Sequence, residues 1–536
     1  VKSRRLVRSP YPTVVGRTLR LAARAFVHRW DRALLDVQRV QEATLAELVH
    51  HARDTEFGRA HGFHCIHDHG DFVRRVPLGD YDSLSPYFDR MRSGQRNLLV
   101  PEFVRYFANS SGSSNHGKAK FLPITDRQIR FQRGAGTDTL MRHLRESGDA
   151  DFFTGFTLAL FPPTTMKREG ATLVTSNPAL MATKMPRITR PVYLPDGRVQ
   201  KIANYEEKLK VIAERYLGHD VRAIAGTTCW FSLLFEHVLA AARALGRYAP
   251  TVSDIWPNLR VLFGGGVAAP AYLPVIRRLV GRDDITLVDT YNATEGGVYA
   301  ASSVSDAAGM LMLPHRGVFF EFVPLEARGR SNTVREPLWR VEPDRPYSIV
   351  VTTASGLYAY ELGDIVRFPS VAPLRIEFVG RLGGCLSVTQ ELTTHVEIER
   401  AVAQASRDCG CTTLDFGAAA EVGVGGSAKS RYSLFVEFQD GGIPSDLDAF
   451  AVAFDRELCA QNRVYREHRK GEVALLRPVV MPLARGGARR FLEQVTGGNV
   501  QGKFPRIVDE TKKKLLWEYV APPWGPRSSP VNQEPS

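Results

Sequence analysis

The chain has 536 residues, 44% hydrophobic and 24% charged, with a formal net charge of +13. That length allows a large core and two or more domains, and the composition is that of an ordinary globular protein, not a disordered or disulfide-stapled one. The positive charge favours anionic partners such as a nucleotide or an acidic substrate. No interleaving of basic and aromatic residues reads as a nucleic-acid motif, and no segment approaches the roughly 20 apolar residues of a membrane span.

Residues 1–29 are rich in Arg and contain no Asp or Glu, a pattern shared by transit peptides and membrane-surface helices; an exposed basic N-terminal extension is expected. A helix follows over 31–53, with Leu45, Leu48, Val49 and Ala52 on one face. Next comes Asn109–Lys120, NSSGSSNHGKAK, between two extended runs, Val104–Ala108 and Phe121–Ile124. Gly112 and Gly117-Lys118 have the spacing of a Walker A loop. Ala119 stands where that loop needs a hydroxyl, and Pro123 opposes the helix it must open. Main-chain N–H groups, Ser hydroxyls and Lys118 on a hairpin can still converge on one anion. The bland alternative is a flexible Ser/Gly connector.

Helices are expected over Asn204–Leu217 and Phe231–Leu245. Phe231, Leu234 and Phe235 lie on the apolar side of the second, which serves either as core or as the wall of an apolar ligand pocket. Two strand-then-glycine units follow, Leu259–Phe263 ending at Gly264-Gly265-Gly266 and Ile285–Thr290 ending at Tyr291-Asn292-Ala293-Thr294-Glu295-Gly296-Gly297. With a helical stretch between them they suggest an α/β sheet, whose ligands bind beyond the carboxyl ends of the strands. The glycines leave room for a planar ring, and Glu295 offers a hard oxygen ligand for Mg²⁺. Each unit is equally readable as an ordinary tight turn. Asp364, after Gly363, suits a ribose diol or an Asx-turn, and Gly380–Gly384 suits a hinge. Beyond it lies a smaller α+β domain containing a helix that opens near Ser445-Asp446, and from about Pro522 the chain is Pro/Ser-rich and expected to be disordered. The six cysteines, Cys65, Cys229, Cys385, Cys409, Cys411 and Cys459, lack zinc spacing and are expected as buried free thiols in a reducing, cytoplasmic compartment.

Taken together and in register, Phe57-Gly58-Arg59, Ser110–Ser114, Trp256–Leu259, Tyr291–Gly296, Leu362-Gly363-Asp364, Leu458–Asn462 and Lys503-Phe504-Pro505-Arg506 resemble the acyl-acid amido synthetases of the auxin-responsive promoter (GH-three) family, within the acyl-adenylate-forming superfamily that includes luciferase. The resemblance spans residues 30–520. It implies an α/β fold with an α+β lid: a large ATP- and acid-binding domain over 30–380, a hinge at 381–384, and a mobile C-terminal domain over 385–521, with 522–536 a disordered tail. It implies ATP and Mg²⁺, with Ser110, Ser111, Gly112, Ser113, Ser114 and Lys118 on the phosphates, Gly264 to Gly266 and Tyr291, Asn292, Ala293, Thr294 and Glu295 on the adenine and metal sides, Asp364 and Arg381 on the ribose, and Lys503 on the α-phosphate. The implied reaction joins a small carboxylic acid to an amine, an amino acid, through an acyl adenylate. A thioester-forming ligase using the same intermediate is the second reading, and a nucleotide-binding scaffold without activity the third. Two departures stand out: Tyr360-Glu361 where the family often has Tyr-Arg, and Gln390-Glu391-Leu392 after the hinge.

Overall fold

A computed structural model describes residues 6–11, 13–110, 120–266, 269–302, 308–328, 334–382, 384–386, 393–421, 424, 430–439, 444, 446–462, 465–466, 469–472, 475–496 and 503–522. The chain divides into two compact units, Val1–Phe378 and Val379–Ser536.

The first unit holds three sheets. Five parallel strands run in the order Tyr193–Leu194, Phe156–Leu160, Val221–Gly226, Val261–Phe263, Thr286–Val288, joined through helices including Tyr205–Tyr216, Cys229–Ala244 and Ala269–Val280. Crossover helices bury both faces of such a sheet, which is why its strands read as continuous apolar runs. An eight-stranded sheet carries the hairpin Thr290–Ala293/Gly297–Ala301 at one edge and Tyr360–Val371 inside it. In the third sheet Tyr106–Ser110 pairs antiparallel with Lys120–Ile124, Ser110 facing Lys120. The two strands that flank the Ser/Gly segment are thus antiparallel partners, and residues 111–119 between them lie outside the described residues.

The N-terminus departs from expectation. One helix runs Thr13–Leu35 and a second Val37–Ala52. The first is no exposed extension. Ala23 and Trp30 are fully buried, and the Trp30 indole N–H donates to Met312 O at 2.6 Å. Arginines dominate its composition, but Ala23, Trp30 and Ala33 fall on one stripe and pack. In the second helix Gln41, fully buried, donates to Pro314 O and Val318 O and accepts from Phe320 N–H, tying the helix to the eight-stranded sheet.

The long helix Asp126–Ser147 opens where the hairpin ends, with Thr125 as its N-cap. Lower down, Asp138 accepts from His315 Nε2 at 2.8 Å and pairs with Arg316 and Arg29. Burial pushes this carboxyl up, but the bonds from His315 and Arg316 outweigh it and hold it below its ordinary value. One turn on, His143 is buried against Phe152 and Phe263.

The second unit is built on Val479–Pro482, Arg431–Phe438, Thr413–Glu421 and Ile507–Val508, in that order. The helices His395–Asp408 and Leu447–Gln461 supply its apolar core, the latter capped by Asp446, which accepts from Ala449 N–H at 2.9 Å. The thiols are less buried than expected: Cys65 is exposed and Cys409, Cys411 and Cys459 are partly exposed, while the side chains of Cys229 and Cys385 lie outside the described set. No described helix is long and apolar enough to cross a membrane.

Burial pushes the His143 imidazole down to about 4 from its ordinary 6.5. Between those values the unfolded chain binds a proton that the folded chain refuses, so stability falls as pH falls through that window. The loss amounts to on the order of 3 kcal/mol at its lower end. His143→Phe should flatten the decline in urea midpoint between pH 6.5 and 4 relative to the parent; equal slopes would contradict this account.

Candidate active site

Two β-bulges place the central side chains. Ser348 pairs with Ile365 and Val350 with Glu361, so Ile349 alone faces the three residues Leu362 to Asp364. Gly363 takes φ +79° within this bulge, a conformation glycine adopts without a steric cost. Asp364 is thus not at a turn, as its sequence context suggested, but inside a strand, re-aimed by the bulge and 5% exposed. In the edge hairpin Tyr291 pairs with Ala300 and Asn292 with Val298, leaving Tyr299 as the unpaired extra residue. Tyr291 Oη donates to Asp364 Oδ2 at 2.9 Å. This bond joins two of the segments singled out in the sequence.

The glycine turn after Val261–Phe263 joins them. Thr290 Oγ1 donates to Gly264 O at 2.7 Å, and Gly265 N–H donates to Thr228 Oγ1 at 3.1 Å. A Cβ on Gly265 would stand 2.6 Å from Thr290 Oγ1 and 2.8 Å from Asn292 Nδ2, so no side chain fits there. Thr228 precedes the helix Cys229–Ala244, on which Phe231, Leu234 and Phe235 are fully buried and pack.

The hairpin is tied to the same place by its exit. Thr125 Oγ1 donates to Ala354 O at 2.9 Å, and one turn into the helix Gln128 Nε2 donates to Gly296 O at 2.7 Å. Glu295, half-buried, and Thr294 sit at the tip of the edge hairpin beside that contact. Beneath the tip a Cβ on Gly296 would meet Tyr299 Oη at 2.8 Å, and one on Gly297, φ +98°, would meet Gln132 Cγ at 2.5 Å. Burial first, then the Glu295 and Asp364 carboxylates, push the Tyr299 phenol well above its ordinary value, so it stays protonated.

The first unit therefore assembles Gly264–Gly266, Tyr291–Glu295, Asp364 and the base of the Ser110 hairpin. Ser111, Gly112, Ser113, Ser114 and Lys118 lie outside the described residues, as do the side chains of Ser110 and Arg381. Lys503 belongs to the second unit and is exposed. Glu361, one of the two departures, accepts from Ser348 Oγ at 2.6 Å and pairs with Arg328 at 2.7 Å, an ion pair that locks the strand ahead of the bulge. Thr228, Thr290, Gln128 and Tyr299 were not singled out in the sequence; the strand-then-glycine pattern marks the turn they support but not its supports. Among the described residues no three His, Cys, Asp or Glu form a metal cage. The donors present, Glu295 with the neighbouring Thr294 hydroxyl, fit a Mg²⁺ that is held by one carboxylate and by a nucleotide's phosphates.

The fold is that of the acyl-adenylate-forming enzymes. It matches a 2-hydroxyisobutyryl-CoA ligase in complex with 2-HIB-AMP at a TM-score of 0.56, with 15% identity over 89% of this chain and 91% of that one. An acyl acid amido synthetase, AtGH3.15 in complex with 2,4-DB, matches at 0.78, with 18% identity over 93% and 96%. Residues 26–212, 310–381 and 396–512 match the N-terminal, central and C-terminal domains of the GH3 family, and the chain belongs to that family. A putative indole-3-acetic acid-amido synthetase, GH3.10 of Oryza sativa subsp. japonica, is 28% identical over 69% of this chain and 84% of its own length.

The Tyr299 hydroxyl is buried with no hydrogen-bond partner among the described residues. Tyr299→Phe should leave the unfolding midpoint unchanged or raise it, since a buried unsatisfied hydroxyl costs about 1–3 kcal/mol. Tyr299→Leu, which empties ring volume, should lower it. A loss of stability in Tyr299→Phe equal to that in Tyr299→Leu would overturn the assignment.

Proposed function

We propose that this chain is an ATP-dependent acyl-acid amido synthetase whose nucleotide lies on the residues assembled in the first unit. The convergence of Gly264–Gly265, Thr290–Glu295 and Asp364 through named hydrogen bonds carries this reading. Asp364, held by Tyr291, accepts the ribose hydroxyls, and Arg381 is the second ribose contact. The adenine ring lies along Gly264 to Gly266 and Tyr291 to Ala293. The hairpin tip, Ser110 to Ser114 with Lys118, takes the phosphates through N–H groups, hydroxyls and one ammonium. Glu295 holds Mg²⁺, which when bound offsets the negative charge of the phosphates.

A carboxylate oxygen attacks the α-phosphorus; a P–O bond forms, the bond to the β-phosphate oxygen breaks, and pyrophosphate leaves. Both reactants are anions, so catalysis is chiefly a matter of fixed positive charge. Lys118 and Lys503 supply that charge. The neutral amine nitrogen of an amino acid then attacks the acyl carbon, AMP departs, and the nitrogen loses its proton. This second step needs orientation more than charge. Phe231, Leu234 and Phe235, fully buried, back the acyl side as packed core and do not themselves line an open pocket, so they set no preference among aryl, indolyl and aliphatic acids.

A panel of indole-3-acetate, benzoate, octanoate and 2-hydroxyisobutyrate, scored by carboxylate-dependent exchange of pyrophosphate into ATP, tests the first step. Lys503→Ala should slow the best acid's exchange about 10²–10³-fold while ATP binding stays near that of the parent. Unaltered exchange would remove Lys503 from the chemistry. Tyr291→Phe should raise the KM for ATP about five- to tenfold, the equivalent of about 1 kcal/mol from one hydrogen bond, with kcat for exchange little changed. An unchanged KM would detach the Tyr291–Asp364 pair from nucleotide binding.

The likeness to a CoA ligase favours a second reading, a thioester product. Supplying amino acids and coenzyme A together and weighing the products by mass spectrometry separates the two: amide is expected, and thioester alone would reverse the order.

A further inference from the structure

The stretch Lys503-Phe504-Pro505-Arg506 is held within the second unit at three points, against its sheet and two of its helices. The Phe504 ring is 4% exposed and lies 5.3 Å from Phe491, on the helix Gly487–Thr496. The backbone at Pro505 passes so close to Gly417 that a Cβ there would collide with Pro505 O and stand 3.1 Å from Phe504 Cε1. The Arg506 guanidinium does most of the holding. Its Nε reaches Glu399 Oε1 at 3.1 Å, its Nη1 reaches Asp415 Oδ1 at 2.6 Å and Phe416 O at 2.8 Å, and its plane lies 4.1 Å over the Phe416 ring. Ala418 N–H closes the arrangement by donating to Arg506 O at 2.9 Å.

One planar group thus engages two elements and an aromatic face: Glu399 on the helix His395–Asp408, and Asp415 and Phe416 on the strand Thr413–Glu421. A lysine could match the charge but not this fork, because only a guanidinium places several donors in a fixed plane. Arg506 is mostly buried in this pairing, at 18% exposure, whereas Lys503, three residues away, is exposed. The buried end of the stretch therefore sets where the exposed end can carry its ammonium.

We propose that Arg506, through its fork to Glu399 and Asp415, is the positioning residue for Lys503, and that acid adenylation rather than amide formation depends on it. This rests on the role of Lys503 stated above. A misplacement on the order of 1 Å at the reacting group costs about 100-fold, so loss of the fork should be felt in the step that Lys503 serves.

The test is a cycle of Arg506→Ala, Lys503→Ala and the double variant, read by pyrophosphate exchange with the panel's best acid and, separately, by amide formation from that acid's synthetic acyl-AMP with mixed amino acids. Arg506→Ala should slow exchange about 10- to 100-fold and leave aminolysis of the acyl-AMP near the parent rate. In the Lys503→Ala background the same change should do almost nothing, because residues acting through one group are not additive. A full Arg506 effect persisting in that background, or a parallel loss of aminolysis, would overturn the proposal. Where Arg506→Ala fails to fold, Glu399→Gln carries the test, since it removes one anchor and should give a smaller loss confined to exchange. If Lys503→Ala alone leaves exchange intact, the earlier assignment of Lys503 fails instead, and the two failures remain distinct.

Discussion

The hydrogen bond from Tyr291 to Asp364 constrains the shape of the eight-stranded sheet. The two residues lie on the first and fifth strands of the eight-stranded order. In a flat sheet, four inter-strand steps of ~4.8 Å would hold them about 19 Å apart, well beyond a tyrosine's reach. The 2.9 Å bond requires the sheet to curl on itself, and the two bulges, at Tyr299 and at Leu362–Asp364, supply the local bend. Phe378, half-buried on a strand between them in that order, packs beside Tyr291 with its ring 6.0 Å away. Strand irregularity here is what brings a carboxylate and a phenol from distant parts of the chain to one point.

The helix Asp126–Ser147 transmits that constraint. Its cap touches Ala354, Gln128 holds Gly296, Gln132 lies under Gly297, Asp138 gathers His315 and Arg316, and Arg142 lies 4.4 Å over Trp30. A single rigid element thereby registers the hairpin, the Glu295 tip and the N-terminal helix against one another. The ionic cluster at Asp138 fits the rule that buried charge is tolerated when it is paired on several sides. Removing Arg316 would leave the Asp138 carboxylate buried without its closest fixed positive charge.

Much of this was legible locally. Apolar runs ending in glycine marked parallel strands, and Pro123 with Ala119 marked a hairpin rather than a strand–loop–helix cradle, because each depends on neighbours in sequence. The packing of Trp30 was hidden by the arginines around it, since charge count says nothing about which stripe faces inward. The placement of Asp364 was misread because a positive-φ glycine signals a turn in isolation, yet Gly363 sits in a bulge inside a long strand. Thr228, Thr290 and Gln128 act through backbone atoms of residues far away in sequence, and nothing in their own surroundings announces it.

The last paired strand of the second unit, Ile507–Val508, lies parallel to Thr413–Glu421 and forms one edge of its sheet. During synthesis, Thr413–Glu421 therefore emerges long before the residues that cover its flank, and its apolar edge waits exposed on the ribosome. Stop codons or proteolytic cuts ahead of residue 507 leave that edge open, so shortened products are candidates for aggregation and quality-control degradation rather than for a partly working enzyme.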